Sequence, residues 1–596
     1  HYSSIQLINK YYIKPRNYNM GNLLQFFWLI YPTSIPSIIE TLDCSEQILS
    51  LIPPLSEKYP ESISSIPLIM AKISPESLEK CDIVEPYDIF ILLTPTILGN
   101  EASSKYVSKC LENFDANKAL FYIPQFVQSI PFDKYHAIAD YLVHISEQSD
   151  IFYQYLLWNL TSEKNRLAIE DKLTPPIIEL ETRILKSLNE ERRVSYDNEL
   201  QFINDISSIS RELLPLQFED RKKSLIQHLA DMKCPKNIFI PSNPEYSIIE
   251  IDALHSIPLK SHSRVPILVN FKAMMKNQIA LSQIINQQGS GDITKSPVCV
   301  ALKQLNIDNT KPSIATLPQP LPTTIPCQSY PLINPEATNS DKTQQSQMNI
   351  KYVEPSPVKI GCIFKIEDDV RMDVLMIQLI NKMKSIFDDA GIDCFMLSYN
   401  IFATGPKRGV IEVIKNAKSR HEIGVLTKLP LIGYFQAQYG EVGSPAFKTA
   451  QRNFIKSLAP YSLFCYLFQV KDRHNANIML DADGHIIHID FGFVFDISPG
   501  GNMKFEKAPF KLNNEMIQLM GGSKTAPPFI KFQKLFVKCF LALRSRFEEI
   551  QAIAYLMKDA GFNCFRHDSF YRLRERFFLD KSDTELQSYI DSLISS

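Results

Sequence analysis

The sequence has few features that would assign it to a specialised structural class. Its 11 cysteines are scattered over 596 residues without a C-x-x-C pair, which favours reduced thiols over a disulfide framework. The most apolar early run, Leu23 to Ile30, is too short to span a bilayer and is followed by Pro32. No signal peptide is visible, and His1 in place of Met predicts a fragment or a processed chain. We therefore expect a cytoplasmic protein that meets any membrane from outside it.

A strong net charge is also absent. The formal net charge is -2, with 21% charged and 45% hydrophobic residues, which is typical of soluble globular proteins. Because so small a net charge creates no attractive field around the whole protein, we expect no nucleic-acid partner, and any membrane contact must come from a local patch. A chain of 596 residues is too long for one compact core, so roughly two to four domains are expected.

Glycine-rich phosphate-binding loops and zinc-site spacings are missing as well. Neither G-x-G-x-x-G nor G-x-x-x-x-G-K-[ST] occurs in the chain. The absence of the first motif argues against an ordinary protein kinase. No Cys and His cluster has the spacing of a zinc site, so we expect no zinc.

The recognisable chemistry is concentrated in residues 470 to 492, VKDRHNANIMLDADGHIIHIDFG. Two short apolar runs are joined there by Asp481 to Gly484, whose Asp-Gly end suits a tight hairpin turn. Such a hairpin would return Asp490 beside Asn477, and two side-chain oxygens brought together in this way can bind Mg²⁺. Asp472 precedes Asn477 with the D-x-x-x-x-N spacing of kinase catalytic loops, and D-F-G begins at Asp490. This stretch therefore predicts phosphoryl transfer from a nucleotide.

Two residues are candidates for the catalytic base of that reaction. Asp472 has the position of the kinase carboxylate, which can orient or deprotonate a hydroxyl nucleophile. His474 is the alternative, because a neutral imidazole is well suited to proton abstraction near neutral pH. The sequence leaves both open. Arg473, between them, is expected to be structural and to pair with a carboxylate.

The order Asp472-Arg473-His474 reverses the His-Arg-Asp of protein kinases and resembles the phosphoinositide 3-/4-kinase superfamily. The motifs IPSNP (240–244), DRHNAN (472–477), DFGF (490–493), SPGGN (498–502) and MGG (520–522) together resemble the type III phosphatidylinositol 4-kinases, the alpha form most closely. The resemblance implies transfer of phosphate from ATP, with Mg²⁺ or Mn²⁺, to the inositol 4-hydroxyl of phosphatidylinositol at a membrane surface.

The same resemblance implies a nucleotide pocket. The segment FKIEDDVRMD (364–373) resembles the superfamily's F-K-x-x-D-D-x-R-x-D, in which Lys365 would neutralise the phosphates and Asp373 would order Lys365. Tyr399 would line the pocket nearby. Backbone groups near Glu412 and Ile414 would bind the adenine edge at a hinge between two lobes; a simple buried strand is the alternative for this hinge.

Further ligand contacts are expected on two loops. Ser261 and Ser263 lie between two predicted strands and would donate hydroxyl and backbone hydrogen bonds to the phosphates; an ordinary hairpin turn is the alternative. After the D-F-G motif come Lys504, Lys507 and Lys511. Three spaced lysines suit a weakly charged headgroup such as phosphatidylinositol better than one that already carries phosphates.

The expected fold class is α+β, with a solenoid-like helical accessory domain followed by a two-lobed kinase domain. Periodic apolar residues and proline breaks predict helices over residues 1–235, where YIPQFVQ (122–128) and LWN (157–159) resemble the accessory domain of the superfamily. Residues 236–410 would form a β-rich amino-terminal lobe with a disordered insertion at 274–350. Residues 411–596 would form the hinge and a mainly helical carboxy-terminal lobe, where Pro460 is expected to open a second helix.

Three other functions remain open at this point. A phosphatidylinositol 3-kinase would use the same substrate, and a related Ser/Thr protein kinase would use a peptide. An inactive scaffold would act through the helical domain. For the 4-kinase we expect protein partners that recruit the chain peripherally to a membrane, and the sequence does not distinguish the plasma membrane, the endoplasmic reticulum and the Golgi.

Overall fold

The computed structural model describes residues 93–112, 114–167, 171–235, 238, 240, 242–259, 264–275, 357–500, 508–579 and 581–595. The chain divides into two compact units, one made of His1–Arg193 with Glu367–Ser596 and the other of Val194–Ile366. The early apolar run Leu23 to Ile30 lies outside the described residues. So does the predicted insertion 274–350, apart from its first two residues.

The described residues between 93 and 235 are mainly helical, as the periodicity predicts. The helices are α1 (Pro95–Leu98), α2 (Glu101–Glu112), α3 (Ala116–Phe121), α4 (Ile123–Ser129), α5 (Ala137–Gln148), α6 (Asp150–Arg166), α7 (Thr174–Ser187), α8 (Glu190–Leu213) and α9 (Phe218–Asp231). Pro124 lies in the first turn of α4, where a missing N–H leaves no helical bond unmade. The predicted stripe of α5, from Ile138 to Ile145, is buried.

The unit Val194–Ile366 contains three antiparallel strands, β1 (Tyr246–Pro258), β2 (Ile267–Met275) and β3 (Val358–Ile366). These strands confirm the sequence prediction in this region. Val269 and Phe271 of β2 are fully buried, because alternate residues of a strand face the same side. Ser210 of α8 donates to the carbonyl of Val265 at 2.6 Å. Lys365 is the next-to-last residue of β3.

From residue 367 onward, the described residues are mainly helical and include two small groups of antiparallel strands. The elements are α10 (Arg371–Asp389), β4 (Ile401–Gly405), β5 (Arg408–Glu412), β6 (Ala417–Ser419), α11 (Arg420–Thr427), α12 (Leu431–Tyr439), α13 (Pro445–Phe468), β7 (Ile478–Asp481), β8 (Ile486–His488), α14 (Asn514–Leu519), α15 (Pro527–Arg544), α16 (Phe547–Tyr555), α17 (Ser569–Phe577) and α18 (Asp583–Ser595). One core cluster includes buried side chains from α10, α13, α15 and α18. None of the described helices is long and apolar enough to cross a membrane.

The prediction that Pro460 opens a second helix is wrong. Pro460 lies inside α13, which runs unbroken from Pro445 to Phe468. A proline in a helix interior lacks the N–H that would bond the carbonyl four residues earlier. In this structure that carbonyl, on Lys456, accepts a hydrogen bond from the Phe395 N–H at 2.9 Å. A distant segment therefore satisfies the group that the proline leaves without a helical partner.

Candidate active site

The hairpin predicted between the two apolar runs is present. Strands β7 and β8 are antiparallel, with Ile478 opposite His488. Asp481 Oδ1 accepts hydrogen bonds from the N–H groups of Asp483 (3.0 Å) and His485 (2.8 Å), which fixes the turn. Gly484 has φ +89° and an added Cβ would lie 3.1 Å from Ala450, so both the backbone conformation and the available space favour glycine there.

The hairpin brings the two predicted metal ligands together at its open end. The Ile489 N–H donates to the Asn477 carbonyl at 3.2 Å, so Asp490 follows the residue that bonds Asn477. The Asn477 amide nitrogen donates to the Asp472 carbonyl at 3.0 Å, which orients its side chain and leaves the amide oxygen as an acceptor. The Asp490 carboxylate is exposed. Two oxygen donors with room for water and phosphate fit a hard divalent cation.

Both acidic residues of the site have a left-handed backbone. Asp472 and Asp490 each have φ 61°, a conformation that most non-glycine residues avoid and that aspartate tolerates better than most. Such conformations persist where the surrounding structure holds them, and they cluster at functional sites. The two loops that carry these carboxylates must therefore be held in place by specific contacts.

Arg473 supplies most of those contacts. It is buried, and its guanidinium donates to the carbonyls of Lys471 (2.9 Å), Ile489 (2.7 Å) and Asp490. It also lies over the Phe491 ring, with 5.7 Å to the centroid. The expectation of a structural role fits these bonds, but the expected carboxylate partner was wrong, because Arg473 bonds backbone carbonyls. It joins the Asp472 loop to the Asp490 loop.

Asp373 lies against the same loop from α10. Its Oδ1 accepts a hydrogen bond from the Phe491 N–H at 2.7 Å, and its side chain is buried in the first turn of the helix. This bond was not predicted, since nothing in a sequence shows which backbone amide a carboxylate will meet. Lys365, which Asp373 was expected to order, belongs to the other unit, so that pairing stays a prediction.

Tyr399 is buried near these groups. Burial raises the pKa of its phenol well above the ordinary value, and the negative charges of Asp373 and Asp490 raise it further. The phenol therefore stays neutral and cannot act as a base. His488, the last residue of strand β8 in the hairpin, shows the opposite shift: burial, with the charges of Arg473 and Lys511, lowers its pKa well below 6.5.

Asp472 and His474 lie side by side and are not equivalent. The His474 ring is 55% exposed, and its Nε2 lies 3.9 Å from Asp472 Oδ2. Its Nδ1 lies 3.2 Å from the Ala476 N–H and accepts from it, so that nitrogen carries no proton. In the neutral ring the proton is then on Nε2, facing Asp472. In this tautomer the His474 Nε2–H is a hydrogen-bond donor on the side of Asp472.

The hinge residues differ in what their backbones can bind. The Glu412 N–H donates to the Asn400 carbonyl at 2.9 Å, and the Glu412 carboxylate accepts from the Asn400 N–H at 2.9 Å. The Glu412 N–H is thus already used in the pairing beside strands β4 and β5 and is not available to a ligand. No hydrogen bond in the described part of the chain involves the Ile414 backbone, so both of its groups are available to a ligand and the adenine contact stays a prediction.

The remaining predicted contacts divide into two groups. Lys511 donates to the Arg473 carbonyl at 2.8 Å and lies 3.4 Å from the Asn475 side-chain oxygen, so it supports the catalytic loop. Ser261, Ser263, Lys504 and Lys507 lie outside the described residues.

Comparison with known proteins places this arrangement in a family. The family model described as phosphatidylinositol 3- and 4-kinase matches residues 359–437 and 426–566, and the model of the phosphoinositide 3-kinase family accessory domain (PIK domain) matches residues 63–196. The chain therefore contains a phosphatidylinositol 3- and 4-kinase domain and a PIK accessory domain. The first model includes Asp373, Asp472, Asn477 and Asp490. A kinase domain of this kind implies ATP and a divalent metal ion as cofactors.

The similar relatives within this family carry 4-kinase names. The chain is 32% identical over 511 residues to phosphatidylinositol 4-kinase stt4 of Schizosaccharomyces pombe, covering 85% of this chain and 24% of the relative. It is 30% identical over 512 residues to phosphatidylinositol 4-kinase alpha 1 of Arabidopsis thaliana, covering 84% and 21%. With the putative phosphatidylinositol 4-kinase alpha-like protein P2 of Homo sapiens it shares 29% identity over 480 residues, covering 75% and 72%. The chain thus spans about a quarter of the length of the first of these relatives.

Proposed function

We propose that the chain is an ATP-dependent lipid kinase that phosphorylates phosphatidylinositol at the 4-hydroxyl to give phosphatidylinositol 4-phosphate. The observation that carries this proposal is the pairing of Asn477 with the Asp490 loop, with Asp472 beside them. That is the set of side chains that phosphoryl transfer requires. The choice of lipid and of hydroxyl is supported by the names of the relatives that match most of the chain.

The metal ion in this proposal is Mg²⁺, with Mn²⁺ as a substitute, held by Asn477 Oδ1 and the Asp490 carboxylate. Oxygen-only ligands and an exposed carboxylate suit these ions, which retain water and bind phosphate. When bound, the ion would neutralise charge on the transferred phosphoryl group. Arg473 bonds the carbonyl of Lys471 on one loop and those of Ile489 and Asp490 on the other, so the two loops are joined before the ion arrives.

Asp472 is the base in this proposal, and His474 is a hydrogen-bond donor. His474 Nδ1 is occupied by the Ala476 N–H, and its remaining nitrogen carries the proton in the neutral ring. While the bond to the Ala476 N–H is kept, neither nitrogen of that imidazole is open to a proton from the inositol hydroxyl, which favours Asp472 as the base. The Asp472 carboxylate can take it, and the His474 Nε2–H can donate to the transferred phosphoryl group or to Asp472 itself.

The nucleotide would be held from several sides. Lys365 would neutralise its phosphates, with Ser261 and Ser263 as further donors, and Ile414 would bind the adenine edge. Glu412 contributes through its carbonyl, because its N–H is already bonded. Tyr399 would line the pocket as a neutral phenol.

The lipid side of the proposal involves a membrane surface. Lys504 and Lys507 would contact the headgroup, while Lys511 acts by supporting the catalytic loop. Protein partners would recruit the kinase peripherally to the cytoplasmic face of a membrane.

The test is phosphorylation of phosphatidylinositol vesicles by the full chain with labelled ATP and Mg²⁺, followed by chromatographic separation of the monophosphate regioisomers. We expect the 4-phosphate. Asp490→Ala should lower the rate at least about a hundredfold, because the metal ligand is lost. The matched control is Asp483→Ala, an exposed aspartate in the turn of the same hairpin, which should keep full activity. A 3-phosphate product, or transfer only to Ser or Thr of a peptide, would contradict the proposal.

A further inference from the structure

Two buried glutamines bond to each other across the boundary between the accessory helices and α10. Gln125 of α4 is fully buried and Gln378 of α10 is 6% exposed. Each side-chain amide donates to the other's oxygen at 3.1 Å. Gln378 also donates to the Phe121 carbonyl at 2.6 Å, and Gln125 lies 3.3 Å from the Ile553 carbonyl. The pair therefore joins α3, α4, α10 and α16 at one point.

A second connection lies at the amino-terminal end of α10. Arg371 is bonded to Asp369 at 2.6 Å, donates to the Ala560 carbonyl at 3.1 Å and lies 3.6 Å from the Glu163 carboxylate of α6. Its guanidinium also covers the Phe562 ring, 5.4 Å from the centroid. Helix α10 is thus bonded to the accessory helices both at its first residue and two turns later.

Asp373 lies between these two connections on the same helix. A helix rises about 1.5 Å per residue, so Gln378 is only about 7.5 Å along the axis from Asp373. The Asp373 carboxylate holds the Phe491 N–H, which follows the metal ligand Asp490. A rotation or slip of α10 would therefore move the peptide that carries Asp490.

The packing between α10 and the accessory helices is incomplete at this boundary. A cavity of about 30 Å³ lies there, with Val127 of α4, Ser162 of α6, and Arg371, Val374 and Gln378 of α10 in its lining. Where packing is incomplete, directional hydrogen bonds between buried polar groups select one register among several. An apolar pair of the same size would fill the space without that selection.

We propose that Gln125 and Gln378 are positioning residues, which set the register of α10 and through Asp373 the place of the metal ligand Asp490. The accessory helices are by this route part of the catalytic apparatus rather than only a scaffold. The inference rests on the proposed kinase function, and it predicts a defect in metal-dependent nucleotide binding that is separate from any loss of stability.

The test compares Gln378→Met with the double variant Gln125→Met and Gln378→Met in the full chain. Met has a length similar to Gln but makes no amide bonds. We measure Mg²⁺-dependent ATP binding by calorimetry, kcat and KM on phosphatidylinositol vesicles, and the urea unfolding midpoint. For Gln378→Met we expect at least about a tenfold rise in the Mg²⁺ concentration for half-maximal ATP binding and a similar fall in kcat, with an unchanged KM for the lipid.

The double variant separates positioning from stability. It should regain part of the unfolding midpoint lost in Gln378→Met, because the Gln125 amide no longer remains buried without its partner. Its Mg²⁺ requirement and kcat should stay defective. The control is Leu142→Ala, a fully buried residue of α5 that should lower the midpoint while leaving both quantities unchanged at temperatures where the protein is folded.

Two results would overturn the inference. One is normal Mg²⁺ dependence in Gln378→Met, and the other is an equal defect in Leu142→Ala. If the unsubstituted chain binds ATP with Mg²⁺ but phosphorylates no lipid, the proposed function fails, and the calorimetric comparison still decides the positioning role. If it binds no ATP, both fail together.

Discussion

The two candidate bases of the catalytic loop should differ in substitution experiments. Asp472→Asn removes the proposed base and should lower kcat by about 10² to 10⁴. His474→Asn keeps an acceptor for the Ala476 N–H. It should lower kcat less than Asp472→Asn does, because only a hydrogen-bond donor toward the phosphoryl group is lost. Rates at saturating ATP over a range of pH provide the measurement. A larger loss for His474→Asn would assign the base to His474 instead.

Side-chain types were predictable at this site, whereas many of their partners were not. The spacing of Asp472, Asn477 and Asp490 indicated the chemistry. A hairpin between the two apolar runs can close in few ways, and closing it brings Asp490 back beside Asn477. Arg473 and Asp373 each bond backbone groups of the Asp490 loop, and every residue carries such groups. The sequence therefore contains no signal that distinguishes them.

His488 makes stability depend on pH in a predictable direction. Burial lowers its pKa well below 6.5, so below about pH 6.5 the unfolded chain binds a proton that the native state does not. The free energy of unfolding should then fall with decreasing pH, by up to about 1.4 kcal/mol per pH unit from this group. His488→Phe keeps a ring against Tyr461, which now stacks on His488 at 5.0 Å, and should make the fall shallower.

The measurement is urea unfolding at pH 7.5 and 5.5 for both proteins. His567 is 95% exposed, so His567→Phe serves as the control and should leave the pH slope unchanged. Equal slopes for the unsubstituted protein and His488→Phe would show that His488 does not carry the effect.

At the level of elements, periodicity predicted helices and strands well where one face is buried. The strands β1 to β3 and the helix α10 follow directly from the apolar pattern. The unbroken α13 does not, because the sequence around Pro460 cannot show that Phe395 will bond the free Lys456 carbonyl. The tendency of proline to end a helix was therefore offset by a hydrogen bond from a distant part of the chain.

Strand β5 should be intolerant of any side chain at Gly409. An added Cβ would lie 2.6 Å from the Phe402 carbonyl of β4 and would overlap Val370, which precedes α10. Gly409→Ala should lower the free energy of unfolding by about 1 to 3 kcal/mol. ATP affinity should fall as well, because β5 leads to Ile414. Urea unfolding and calorimetry measure the two effects.

Gly424 of α11 is the matched control for that substitution. Its added Cβ would lie 3.1 Å from the Arg420 Nη1, whereas Arg420 bonds Glu515 and Leu429 through its Nε and Nη2. Alanine also favours a helix more than glycine does. Gly424→Ala should therefore be neutral or stabilising by up to about 1 kcal/mol. A neutral Gly409→Ala would mean that β4 and Val370 adjust without cost.

For the whole molecule, nucleotide binding should stabilise the fold. A ligand present at a hundred times its Kd and bound only by the native state adds about 2.7 kcal/mol. MgATP should raise the thermal unfolding midpoint of the full chain, and a chelator should reverse the part that depends on the metal. Asp490→Ala should lose that part even with Mg²⁺ present.

The same thermal shift tests whether Lys365, in the unit Val194–Ile366, takes part in nucleotide binding. If Lys365 neutralises the phosphates, Lys365→Met should reduce the MgATP shift, because a cation that attracts the nucleotide is lost. Lys359 lies on the same strand, with a side chain 65% exposed and 3.5 Å from Asp252, so Lys359→Met changes the same charge without touching the predicted site. Equal shifts for the two variants would mean that β3 does not contribute its lysine to the nucleotide, and the site would then have to neutralise the phosphates with the metal and the residues after 366.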